Sequence, residues 1–293
     1  MNIAITGANG HLGIRLIRRL SDNHTVKAIV RSDRAKQALM HTFPDLDVVV
    51  VNYLKSDELA NALLGCEQVI HLVGIIKESK TATFYDAHEN SCRALSVAAQ
   101  RSDVKRIVYL NIIGASVQSK NACLQSRGHA EAILSAGDVP ASILRIPMVL
   151  GEGDYASMAL KKNSSAKRAF TFRADSLEQP IYAEDVVDAV SAILARQTNG
   201  EWDLAGIESV SRRDLILRAA SLFNNSPKVT SLPISIGLTL AFFLELLPNP
   251  PVTRAMLGVL DHDDQVNVKP TCDELGLTLT SLDETLKKVL TYR

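Results

Sequence analysis

The stretch ITGANGHLG, Ile5–Gly13, decides the fold. A short apolar run ends at Thr6, glycines follow at positions 7, 10 and 13, and a helical pattern starts at Leu12. Glycines there permit a tight turn, let the backbone approach a pyrophosphate and let the next helix pack close to the strand, with its N-terminus facing the anion. A glycine triplet alone is a weak signal, and a ligand-free turn is its competing reading. The position between a strand and a helix, at the start of a βαβ unit, favours a phosphate loop.

Outward from this loop, apolar runs alternate with helix-period segments. Strands are predicted at Ile3 to Thr6, Val26 to Val30, Val48 to Val51, Val69 to Val73 and Ile107 to Leu110, and helices at Leu12 to Leu20 and Asn90 to Gln100. Continuous apolar strands separated by helices predict a doubly wound parallel sheet covered on both faces, a Rossmann-type α/β fold. The run ASILRIPMVLG reads as one more strand, followed by an irregular polar stretch to about Glu178. After EWDLAG helices dominate, so residues 1–205 are expected to form the nucleotide-binding domain and 206–293 a small, mostly helical C-terminal subdomain.

The end of the second predicted strand bears on the cofactor. An NAD-type site keeps an acidic residue there for the adenosine ribose hydroxyls, whereas this chain has AIVRSDR. Arg31 puts a fixed charge at that place, with Ser32 as a hydroxyl donor and Arg34 close behind, a set suited to a 2′-phosphate and hence to NADP(H). The competing reading leaves Arg31 as a solvated loop charge and gives the ribose to Asp33.

Composition narrows the partners. With 293 residues the chain can bury a sizeable core, and 32 Lys and Arg balance 32 Asp and Glu, which argues against nucleic acid as a partner. Cys66, Cys92, Cys123 and Cys272 lack CxxC spacing, so free thiols in a reducing, cytoplasmic setting are expected and no metal site is. His262 among Asp261, Asp263 and Asp264 reads as a solvated acidic loop. The segment VTSLPISIGLTLAFFLELLP, Val229 to Pro248, is uncharged as far as Leu244, too short to span a bilayer and interrupted by Pro233. It reads as a buried helix, with an apolar lid or a membrane-surface contact as the alternative.

Together with VIHLVG, FYDAHENSCRALSVAA, VKRIVYLNIIGAS, ILRIPMVLGEGD and QPIYAEDVVDAV, the glycine loop resembles the short-chain dehydrogenase/reductase superfamily in its extended and atypical branches. The resemblance covers nearly the whole chain. It is strongest to the group containing the nucleotide-binding accessory subunit of respiratory complex I and its bacterial relatives, which LPNPPVTRAML and DELGLTLTSLDETL also resemble. The resemblance implies cofactor contacts at Gly7, Asn9, Gly10, His11, Leu12, Gly13, Arg31, Ser32, Asn52, Val73, Gly74, Asn90, Arg127 and Pro147. It also implies contact with a protein complex, while the apolar Val229 to Leu244 segment and the intact cofactor loop point to an apolar small molecule as the substrate of an active form.

The departures concern chemistry. The superfamily's proton-transferring Tyr and the Lys four residues after it correspond in NACLQSRGHAEAIL to Cys123 and Arg127. Its carbonyl-polarising Ser or Thr corresponds to Asn111 or Ile112, and a frequent Asp to Asn52. Arg127 retains a charge for ribose hydroxyls or a phosphate, while Cys123 is either a thiol nucleophile or a retired position. Tyr85, His88 and His129 are further candidate donors, each with a packing or surface alternative, and His71 within VIHLV reads as a buried strand residue.

Overall fold

A computed structural model describes residues 1–196, 199–247 and 250–292. The chain divides into two compact units, residues 1–145 with 187–202, and residues 146–186 with 203–293.

The first unit begins β1 (Asn2–Thr6), α1 (His11–Leu20), β2 (Thr25–Val30), α2 (Asp33–Thr42), β3 (Asp47–Val50), α3 (Ser56–Leu63) and β4 (Gln68–His71). It continues with α4 (Ser91–Arg101), β5 (Arg106–Ile112), α5 (Ala122–Ser135) and β6 (Ala141–Ile146). A seventh strand, Glu201–Asp203, lies at one edge of a sheet that then runs β6, β5, β4, β1, β2, β3. Strand β1 pairs in parallel with both β2 and β4, Ile3 facing Val26 on one side and Gln68 on the other. The chain thus winds outward in both directions from β1 and β4, the reversal that opens a crevice beyond the strands' carboxyl ends in doubly wound sheets. Such strands are buried on both faces, and β1 accordingly buries Ile3, Ala4 and Ile5 completely. Leu59, Leu63, Leu95, Ile107, Tyr109 and Leu134 fill the core on one side of the sheet.

The sequence-based strands and helices match these elements to within a few residues. One feature goes beyond them: Tyr85–Asn90 forms a π-helical turn that leads into α4. Turns of this kind are rare and concentrate at functional sites.

The second unit is richer in regular structure than its sequence suggests. The run ASILRIPMVLG is broken at Pro147, and Val149–Leu150 pairs with Ile181–Tyr182 instead of extending β6. The polar stretch read as irregular contains a helix, Tyr155–Ser165, because Asp154 caps it by accepting the Ser157 N–H at 2.7 Å. It also contains the strand Arg168–Phe172, which pairs in parallel with Lys228–Leu232. The uncharged segment therefore starts as a strand and becomes a helix, Ile234–Leu244, only after Pro233.

That helix is not buried, contrary to the sequence reading. Its small residues Gly237 and Ala241 face inward, while Ile236, Leu240, Phe242 and Phe243 are each more than half exposed. Helical spacing explains the inversion, since positions 237 and 241 share one face and positions 236, 240 and 243 share another. No helix among the described residues is long and apolar enough to cross a membrane. Within the stretch LPNPPVTRAML, Pro248 and Asn249 lie outside the described residues.

Candidate functional site

The glycine loop takes the form the sequence predicts. Gly7 adopts φ +69°, a conformation L side chains rarely take, and its carbonyl accepts the Gly10 N–H at 3.0 Å. A Cβ on Gly13 would come within 2.5 Å of the Ala8 carbonyl oxygen, so only glycine lets α1 lie this close to the turn. The N-terminus of α1 has no side-chain cap and no acidic residue in its first turn. The helix ladder starts with the Ile14 N–H bonded to the Gly10 carbonyl, which leaves the N–H groups of His11, Leu12 and Gly13 ahead of it. Such a terminus, with its partial positive charge, suits a phosphate.

Beside this loop lies a pocket of about 400 Å³, lined among others by Arg31, Asn52, Tyr53, Val73, Thr81 and Asp86. Ser32 caps α2 by accepting the Ala35 N–H at 3.3 Å, which leaves its hydroxyl hydrogen free to donate. Asn52 folds the turn after β3, its side-chain oxygen taking the Leu54 N–H at 3.0 Å and its own N–H reaching Glu58 Oε2 at 2.8 Å. Asn90 is tied within the π-helical region, donating to Asp86 Oδ1 at 2.8 Å and accepting from Arg93 Nη1 at 2.6 Å.

Tyr53 carries no signal of its role in the sequence. Its hydroxyl donates to the Ile29 carbonyl at 2.7 Å and accepts the Gly7 N–H at 2.9 Å. Burial raises its ionisation to about 12, against the opposing pull of the Gly7 N–H and the Arg31 charge.

The positions corresponding to the superfamily's catalytic pair lie inside the first unit. Cys123 is fully buried on α5 and its thiol donates to the Ile75 carbonyl at 3.6 Å. Burial pushes that thiol up, with Arg127 acting in the opposite direction. Arg127 is 7% exposed, and its guanidinium reaches Asn111 Oδ1 at 3.3 Å and lies against Gly74. Asn111, also buried, donates to Glu131 Oε1 at 2.6 Å, and Glu131 is held in turn by two nitrogens of Arg145, at 2.7 and 2.6 Å. Cys123, Arg127 and Asn111 are thus neighbours, each with a hydrogen bond inside the protein, while the buried Arg127 Nε has no partner among the described residues.

The other candidates separate by exposure. Tyr85 is 53% exposed and stacks under Arg93. His88 Nε2 is tied to the backbone of Ile75, and burial lowers the ring's pKa to about 3. His71 is buried with its Nδ1 at 2.7 Å from the Thr6 hydroxyl, and its pKa is lowered by burial to about 3. His129 lies exposed on α5. Pro147 belongs to the second unit. His262 sits 3.0 Å from Asp264, whose carboxylate raises its pKa.

The sequence profile of a family described as NAD(P)H-binding matches residues 7–196. Ceramide reductase of Caulobacter vibrioides is 26% identical over 264 residues, covering 88% of this chain and 81% of that protein. The mitochondrial NADH dehydrogenase (ubiquinone) 1 alpha subcomplex subunit 9 of Arabidopsis thaliana is 23% identical over 283 residues, covering 91% and 69%. Among solved structures, UDP-glucuronic acid 4-epimerase from Bacillus cereus, in complex with UDP-glucuronic acid and NAD, superposes with a TM-score of 0.77. The alignment covers 100% of this chain and 98% of that one, and at 17% identity it shows a shared fold.

Proposed function

The chain belongs to the NAD(P)H-binding family, and on that premise we propose that it holds NADP(H) and turns it over poorly, acting as a cofactor-binding sensor, assembly or accessory protein. The residues present fit the cofactor. The N-terminus of α1 and the cradle shaped by Gly7 and Gly13 suit the pyrophosphate. Arg31 lines the neighbouring pocket and engages no carboxylate among the described residues, so its charge is available to a 2′-phosphate, with the Ser32 hydroxyl as a second donor. Asn52 and Val73 line the same pocket, while Gly74 and Asn90 adjoin its lining residues Val73 and Ser91 along the chain. When bound, the nicotinamide supplies hydride chemistry.

The observation that carries the low-turnover reading is the burial of Cys123, Arg127 and Asn111, each with a hydrogen bond inside the protein. General acid–base help is typically worth ~10²–10⁴-fold, and a buried thiol held up by desolvation replaces a phenol poorly. Likeness to a complex I subunit supports docking to a larger assembly, and four free thiols suit a reducing, cytoplasmic setting.

A second reading has one specific support, the likeness to ceramide reductase over most of the chain. In it the protein is an NADPH-dependent reductase or isomerase of an apolar substrate such as a quinone, isoprenoid or acyl derivative, the bound cofactor would supply the hydride, and Tyr85 or water would supply the proton. The test mixes protein and NADPH with detergent-dispersed long-chain ketones and quinones. Oxidation no faster than without protein supports the accessory role. Oxidation that saturates with one acceptor and falls at least tenfold in Tyr85→Phe supports the reductase.

A further inference from the structure

Tyr53 holds together two parts of the site that lie far apart in sequence. Gly7 directly follows β1 and opens the phosphate loop, and Ile29 lies near the end of β2, two residues before Arg31. A single buried hydroxyl joins them, accepting from the Gly7 N–H and donating to the Ile29 carbonyl. The Gly7 carbonyl, in the next peptide unit, accepts the Gly10 N–H, so the turn that leads into α1 begins directly after the peptide that Tyr53 holds.

We infer that Tyr53 is a positioning residue for the dinucleotide, its hydroxyl fixing the phosphate loop against the strand end that carries Arg31. This rests on the NADP(H) reading above. The physical argument concerns pre-organisation: a loop that must present several N–H groups to one anion binds tightly only if their directions are set beforehand. Here the Gly7 N–H is held inward by the phenol, so rotating the Thr6–Gly7 peptide would take that N–H off its acceptor and pull the Thr6 carbonyl off the Leu72 N–H it accepts at 3.2 Å. The aromatic ring alone cannot do this, which makes Phe the informative replacement.

Because the loop faces the pyrophosphate that NADPH and NADH share, loss of the hydroxyl weakens both alike. Arg31 faces what distinguishes them, so its loss changes their ratio. The experiment measures dissociation constants for both nucleotides by nicotinamide fluorescence on the full-length wild type, Tyr53→Phe and Arg31→Asp. Amide hydrogen exchange at Gly7 is followed in the nucleotide-free proteins. Expected are a rise of about 5- to 30-fold for both nucleotides in Tyr53→Phe with their ratio preserved, faster exchange at Gly7, and an altered ratio only in Arg31→Asp. Unchanged binding in Tyr53→Phe overturns the Tyr53 role and leaves the cofactor reading standing. Weakening of NADPH alone also overturns it, since the effect then runs through Arg31. A wild type that binds neither nucleotide overturns both. Should Tyr53→Phe not fold, an unprotected Gly7 amide in the wild type overturns the inference by itself.

Discussion

The guanidinium of Arg127 lies so close to Gly74 that a Cβ on the glycine would stand 2.1 Å from Nη2. Gly74 follows β4 at the edge of the sheet's crevice, and Arg127 comes up from α5, so the charge fills space a larger residue would take. Gly74→Ala is expected to push the guanidinium off Asn111 and to cost about 1–3 kcal/mol of stability. In an Arg127→Ala background the same substitution should cost far less. Denaturant unfolding of the four proteins of this double-mutant cycle checks the coupling, and equal costs in the two backgrounds contradict it.

Glu131 is the carboxylate on which the buried polar chain depends. It accepts from Asn111 and from two nitrogens of Arg145, and the ion pair raises Arg145 well above its ordinary value, burial opposing. Glu131→Leu leaves Arg145 with Glu201 but without its buried carboxylate, and Asn111 without this acceptor, and is expected to destabilise the fold by about 1–3 kcal/mol, with Glu131→Gln costing distinctly less. Thermal melts at equal concentration measure both, and similar midpoints for Glu131→Leu and the wild type refute the assignment.

Two buried histidines set an acid limit. His71 and His88 each titrate near 6.5 when unfolded and are lowered by burial to about 3 in the fold. Above pH 6.5 both states leave them neutral and they contribute no slope. Below it the unfolded chain takes up protons first, so stability falls as pH drops from 6.5 towards 3, by about 1.4 kcal/mol per pH unit for each histidine. Urea unfolding across this range should show a shallower slope in His88→Gln and in His71→Gln than in the wild type.

The helix Ile234–Leu244 predicts an inverted pattern of tolerance. Leu240 is 56% exposed and Ala241 1%. Leu240→Lys is expected to change stability by less than about 0.5 kcal/mol, whereas the apolar substitution Ala241→Leu should cost about 1–3 kcal/mol. A larger loss at Leu240 than at Ala241 in chemical denaturation reverses the assigned faces.

Much of this was legible in the sequence where one physical requirement dominates. Gly7 and Gly13 announce the loop because a left-handed φ and a close helix approach each demand glycine, and the order of apolar runs announces the parallel sheet. The role of Tyr53 was hidden because it depends on a hydroxyl bridging two strands, which no local pattern encodes. The internal bonding of Arg127 was hidden likewise, since its place four residues after Cys123 marks it as a charge for ribose hydroxyls or a phosphate, and only the fold places Gly74 and Asn111 around it. Apolarity of the 229–244 segment was plain, yet its direction was not: small residues at 237 and 241 chose the packing face over the large ones. The helix Tyr155–Ser165 escaped notice because its signal was a single capping aspartate before a polar run.

Recognition of a 2′-phosphate by Arg31, in the pocket beside the glycine loop, is the centre of the proposed function, and its most direct test is the comparison of NADPH with NADH. In a fluorescence titration the wild type is predicted to bind NADPH more tightly than NADH, and Arg31→Asp to lose about 10- to 100-fold towards NADPH with little change towards NADH. Equal affinity for the two nucleotides in the wild type, or an unchanged preference in Arg31→Asp, contradicts it.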